Sequence, residues 1–121
     1  MAKILVVDDE PEILDILQIM LEDAGHAVEK ALSGYECLDK LRKNKFELIL
    51  LDIRMPKMDG WETLRKMKEK GIVDGVKVVI LTIEKGPGVE IFGLQDVVAD
   101  YLTKPFDKNV LLKTIKNVMG K

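Results

Sequence analysis

The chain has little with which to build covalent or soft-metal chemistry. Its 121 residues include one cysteine and one histidine. A single Cys37 excludes a disulfide within the chain and fits a reducing cytoplasm. Together with His26 it cannot supply the usual zinc ligands, so any metal is expected to be a hard ion bound through oxygen. No apolar run approaches the ~20 residues that a membrane-spanning helix needs. The start, MAKILVVDDE, interrupts a short apolar run with acids rather than opening a signal peptide. Lys and Arg number 19 against 21 Asp and Glu, a net charge of -2, and no block of one sign stands out. That balance shows no nucleic-acid footprint and no patch attractive to a membrane surface.

What remains is an ordinary core-forming composition, 47% hydrophobic, without repeats or low-complexity segments. One domain over residues 1–121 is expected. The most informative stretch is Phe46 to Gly60, FELILLDIRMPKMDG. Leu48 to Leu51 is a continuous apolar run, as in a strand covered on both faces, and it stops at a carboxylate, Asp52. Pro56 prevents the strand from continuing, and Asp59-Gly60 marks a turn. Asp59 also reads as an N-cap, with Glu62 completing a capping box.

The other elements follow in order. Ile4 to Val7 is an apolar run that ends in Asp8, Asp9 and Glu10. Pro11 then opens a helix with Ile13, Leu14, Leu17, Leu21 and Ala24 at helical spacing, and Gly25 supplies its stop. His26 reads as a solvent-exposed loop residue. Ala27 to Leu32 is a short strand, and Ser33 with Glu36 starts a helix lined inside by Leu38 and Leu41, with Cys37 packed near them. Trp61, Leu64 and Met67 mark the inner stripe of the next helix. Val76 to Leu81 is the fourth strand, ending in Thr82, and Val97 to Leu102 the fifth, an edge strand interrupted by Asp100. Lys104-Pro105 follows, and Asp107 caps a last helix whose Val110, Leu111, Ile115 and Val118 repeat at helical spacing, as on an inner stripe. Five strands alternating with five helices imply an α/β fold: a doubly wound, five-stranded parallel sheet with right-handed crossovers.

In such a sheet every strand's carboxyl end points the same way. Asp8, Asp9, Asp52, Thr82 and Lys104 therefore converge on one rim, where ligands bind in open α/β sheets. Acids at strand ends also cap helices, and Lys104 could merely pair with one of them, but five such residues at one rim favour chemistry. Crowded carboxylates repel one another, and a divalent cation such as Mg²⁺ relieves that repulsion. Lys104 suits one phosphate oxygen and the Thr82 hydroxyl another. The set is a phosphoryl-transfer kit, and aspartate is a known covalent acceptor of phosphoryl groups.

The blocks ILVVDDE, LILLDIRMPKMDG, VVILT and DYLTKPF, in this order and spacing, closely resemble the receiver domain of two-component response regulators, of the single-domain, chemotaxis-regulator-like kind. The resemblance covers the whole chain and implies a flavodoxin-like fold of the receiver type. It implies a phosphorylation-activated switch in which a sensor histidine kinase or phosphotransfer protein donates to Asp52. Asp9, Asp52 and the backbone carbonyl of Arg54 would bind Mg²⁺, with Asp8 acting through a metal-bound water. Lys104, ahead of a cis bond to Pro105, would hold the phosphoryl group. Thr82 would move to bond it, and Tyr101 would swing inward behind. The output surface would comprise the fourth predicted helix, the fifth strand and the fifth predicted helix, read by a downstream protein. The domain is then no enzyme in the ordinary sense, although it assists its own phosphorylation and dephosphorylation.

Three departures stand out. Ile83 replaces the small residue usual after Thr82 and is expected to narrow access to the site. Glu84 to Gly93, EKGPGVEIFG, places Gly86, Pro87 and Gly88 where the fourth helix should begin, so that helix is expected to be short, displaced or mobile. The glycine usual before the fifth strand is replaced around Val97-Val98. Two other readings are weaker. A haloacid-dehalogenase-like phosphatase carries a second Asp two residues after the nucleophile, where this chain has Arg54. A phosphorylation-independent interaction module with a receiver fold would not need the full acidic set. No output domain follows Met119, so the chain is expected either to act by docking to another protein or to be one domain of a longer regulator.

Overall fold

The structure is a computed structural model that describes residues 2–72, 75–83, 94 and 96–120. It contains β1 (Lys3–Val7), α1 (Pro11–Asp23), β2 (Ala27–Ala31), α2 (Gly34–Lys43), β3 (Leu48–Asp52), α3 (Gly60–Glu69), β4 (Lys77–Thr82), β5 (Val98–Thr103) and α4 (Lys108–Met119). All strands are parallel, in the order β2-β1-β3-β4-β5. This is the doubly wound sheet that the alternation predicts, and β5 lies at its edge as expected.

Four helices lie among the described residues, and α4 is the fifth predicted one. The fourth predicted helix, along residues 84–93, lies outside the described residues, as does the prediction that it is short or displaced.

The pleat divides the core in two. Ile4, Val6, Leu48, Leu50, Val79 and Leu81 face α1 and α4, where Leu14, Leu17, Leu21, Leu111 and Ile115 cover them. Leu5, Val7, Ile49, Leu51 and Ile80 face α2 and α3, against Leu38, Trp61, Leu64 and Met67. Continuous apolar runs are therefore what strands buried on both faces require. Each fully buried aliphatic side chain contributes roughly 1.5–3 kcal/mol of transfer free energy.

The helix starts are those written in the sequence. Pro11 is the first residue of α1. Ser33 Oγ accepts from Glu36 N–H at 3.1 Å, Asp59 Oδ1 from Glu62 N–H at 2.8 Å and Asp107 Oδ1 from Val110 N–H at 2.8 Å. Two expectations need correcting. Val110 is 47% exposed and not part of the inner stripe of α4. His26 is not a free loop residue: its half-buried ring accepts the Ala2 N–H at Nδ1, 3.0 Å away.

Candidate functional site

Strand register brings the site together. Val7 lies opposite Leu51, so the next residues, Asp8 and Asp52, emerge side by side where the strand order reverses. Asp52 pairs in register with Leu81, and Thr82 with Thr103, which sets Thr82 and Lys104 just beyond. Lys104 N–H donates to Thr82 O at 2.7 Å, and the Lys104-Pro105 peptide is cis.

Three carboxylates meet here. Oxygens of Asp8, Asp9 and Asp52 lie within 4.8 Å of one another. Asp8 is 0% exposed and Asp52 5%, while Asp9 is the most open of the three. Lys104 Nζ reaches into the cluster, 2.8 Å from Asp8 Oδ2 and 3.3 Å from Asp52 Oδ1. Asp8 Oδ1 also accepts Glu10 N–H at 3.0 Å, which holds its carboxylate in place.

Charge at this rim is only partly balanced. Burial, followed by the neighbouring Asp8 charge, pushes the Asp52 carboxyl up to about 6, against the opposing pull of Lys104 and the Arg54 backbone N–H. Burial works against the Lys104 charge, but contact with Asp8 and Asp52 outweighs it and raises the ammonium pKa. Lys104 therefore stays charged, and Asp52 is mainly ionised at neutral pH. Three acids against one cation leave an excess of negative charge among oxygen ligands, which suits a hard cation.

Two residues read from the sequence stand apart from the cluster. Tyr101 packs against the core on the α2–α3 side, and its buried hydroxyl has no hydrogen-bond partner among the described residues. Burial raises its pKa. Ile83 is 59% exposed and lines an apolar groove of about 360 Å³ with Ile13, Ile16, Met20 and Phe106. Lys104 also borders that groove, so Ile83 stands beside the site's entrance and not within the acid cluster.

The sequence reading missed how closely the glycine that closes the loop after Asp52 approaches the backbone. A Cβ on Gly60 would lie 2.5 Å from Asp52 O and 2.8 Å from Ile53 Cα, so only glycine fits there. Gly60 N–H donates to Ile53 O at 2.8 Å. The Asp59-Gly60 pair had carried a signal for a turn, but not for this close approach.

Residues 4–116 match the response regulator receiver domain family. The chain is 37% identical to the protein PilH of Pseudomonas aeruginosa over 120 residues, covering 99% of both. Other curated relatives, transcriptional regulatory proteins among them, match over only about half of their own length. Among solved structures, the chemotaxis response regulator CheY4 of Vibrio cholerae superposes with a TM-score of 0.90 at 35% identity, covering 98% of this chain and 99% of that one. The response regulator TrrA of Thermotoga maritima, solved with Mg²⁺ and BeF, gives a TM-score of 0.84 at 29% identity, covering 98% and 100%. No helix among the described residues is long and apolar enough to cross a membrane. An acidic pocket with a half-buried lysine, at the strand-order reversal of this sheet, accords with a match that spans nearly every residue. The chain belongs to the response regulator receiver domain family, the phosphorylation-activated switches of two-component signalling.

Proposed function

We propose that Asp52 is the phosphoacceptor of this receiver, taking its phosphoryl group from a phosphohistidine on a sensor histidine kinase or phosphotransfer protein in the cytoplasm. The observation that carries the reading is Lys104 Nζ bridging Asp8 and Asp52, with Asp9 beside them. An Asp52 oxygen attacks phosphorus, the nitrogen–phosphorus bond breaks, and the histidine ring leaves. With its pKa near 6, Asp52 is present as the nucleophilic carboxylate at pH 7. Lys104, held in the same pocket, neutralises charge on the phosphoryl oxygens without needing to reorganise. Thr82 donates its hydroxyl to another phosphoryl oxygen.

Asp9, Asp52 and the Arg54 carbonyl would hold Mg²⁺, with Asp8 acting through water. When bound, the ion neutralises the clustered acids and the incoming phosphate charge. The all-oxygen donor set and the excess negative charge support this assignment. Tyr101, with Thr82, transmits the change: among the described residues its buried hydroxyl has no partner to lose if the ring repacks. The surface of the fourth predicted helix, β5 and α4 then meets a downstream protein, which further favours the phosphorylated form. One receiver domain over residues 1–121 suffices for this role.

Intact mass after incubation with acetyl phosphate and Mg²⁺ tests the reading. The parent should gain one phosphoryl group. Asp52→Asn, and the parent without magnesium, should gain none. A parent that binds Mg²⁺ only weakly and gains no phosphoryl group from either acetyl phosphate or a phosphohistidine donor would overturn it, leaving a receiver fold used for binding alone.

A further inference from the structure

The segment between Asp52 and α3 is held at more points than a connecting loop requires. Gly60 N–H bonds Ile53 O and closes the loop, and Met58 N–H bonds Pro56 O at 2.8 Å. Lys57 between them has φ of 70°, a left-handed conformation uncommon for a residue other than glycine. The loop also carries two methionines inward: Met55 is buried, and Met58 is only 1% exposed.

Met58 ends against the first turn of α2. A Cβ on Gly34 would stand 2.9 Å from Met58 Cε and 3.4 Å from its Cγ. The same Cβ would stand 2.2 Å from Thr63 Oγ1, and that hydroxyl is tied to Asp59 O at 2.8 Å. Neither neighbour yields freely, since Met58 is enclosed and Thr63 would give up its bond. Helix α2, helix α3 and the loop therefore meet at one point with no spare volume. This is the tight packing that transmits displacement rather than absorbing it.

We propose that Met58 is a positioning residue for the acceptor site: seated against Gly34 and Thr63, it fixes the loop that presents the Arg54 backbone to Asp52. The inference rests on the reading of Asp52 as phosphoacceptor and of the acid cluster as a Mg²⁺ site. Arg54 follows Asp52 by two residues and already bonds it through its N–H, so a shift of the loop moves a group in contact with the acceptor. A methionine that only filled the core would contribute stability and nothing else.

The test compares Mg²⁺ affinity by calorimetric titration, and the rate of phosphorylation by acetyl phosphate, with melting temperature. Met58→Ala should weaken Mg²⁺ binding at least fivefold and slow phosphorylation by a similar factor. Met58→Leu, which restores the volume, should return both to within twofold of the parent. Gly34→Ala, pressing on Met58 from the other side, should weaken binding as well. Leu21→Ala, in the core on the opposite face of the sheet, should lower the melting temperature while leaving Mg²⁺ affinity within twofold. If Met58→Ala does not fold, Met58→Val makes the same comparison with a smaller cavity. The inference is overturned if the Met58 variants lose stability but bind Mg²⁺ within twofold of the parent. A parent that neither binds Mg²⁺ nor accepts a phosphoryl group overturns instead the assignment of the site itself.

Discussion

The two ends of the sheet handle polar groups in opposite ways. At the end where the strands begin, polar side chains finish the backbone ladder: His26 Nδ1 accepts Ala2 N–H, and Glu47 Oε1 accepts Lys3 N–H at 3.0 Å. Charges near it meet opposite charges at half-exposed positions, with Lys3 3.5 Å and Lys40 3.4 Å from Glu29 in the middle of β2. At the end where the strands finish, two nearly inaccessible acids share one lysine, with a third acid close by. Both rims are rich in polar groups, so polarity alone does not mark the functional one. The difference is that one rim is electrostatically closed and the other keeps a like-charge conflict in a low-dielectric setting, which a cation or a phosphoryl group can relieve.

The largest effect should come from removing the cation that holds the conflict in check. Lys104→Met leaves Asp8 and Asp52 buried and facing each other, and breaking a buried ion pair from one side is strongly destabilising. We expect a loss of about 2–4 kcal/mol at pH 7 by urea denaturation, shrinking toward pH 5 as Asp52 takes up a proton. A loss no larger than that of an exposed ion pair, under ~1 kcal/mol, would mean that the two rims do not differ as described.

A smaller effect of opposite sign should follow from removing one of the like charges. Asp52→Asn keeps the shape of the side chain and ends the repulsion, so it should stabilise the metal-free protein by about 1–2 kcal/mol at pH 7 while abolishing phosphorylation. The pH dependence has a definite direction. The folded pKa of Asp52, about 6, lies above its ordinary 3.8, so the folded state binds more protons between those values. Its share of stability therefore rises as pH falls through 6 and is complete near 3.8. In Asp52→Asn that rise should vanish from denaturation midpoints measured between pH 7.5 and 5. A parent profile without the rise would show that the conflict at the acid rim is already settled.

The acid rim was legible in the sequence because each strand announces its own end. An apolar run stops at Asp8, at Asp52 or at Thr82, and a parallel sheet turns those stops into neighbours. Caps were legible for the same reason, since Ser33, Asp59 and Asp107 act on amides three residues away. What escaped were contacts between elements distant in sequence. Gly34 against Met58 and Thr63, and Gly60 against the backbone of Asp52, depend on how closely helices approach the loop, and composition does not encode that distance. Val110 was misplaced because it satisfies the helical period of α4 while lying on the outer side of its boundary. His26 was misread because its partner is the amide of Ala2, 24 residues earlier.

That contact gives the smallest prediction and the one that sharpens the comparison most. An Nδ1 that accepts an N–H must carry no proton, so the bond favours the neutral ring. Burial is the main cause that lowers the His26 pKa, while the charge of Glu47 opposes it. With the folded pKa below the ordinary 6.5, the unfolded chain binds more protons in that window. The contribution of His26 is therefore complete above about 6.5 and is lost as pH falls toward the folded value. After solvent screening the effect is of the order of a few tenths of a kcal/mol. It has the sign opposite to that of Asp52 over an overlapping pH range, so the two partly cancel in the parent. The Asp52→Asn background exposes it: stability there should decline slightly from pH 7 to 5.5. Adding His26→Asn, whose amide oxygen can accept the Ala2 N–H without titrating, should flatten the profile. An unchanged decline would assign it to other groups and leave the closed rim indifferent to pH.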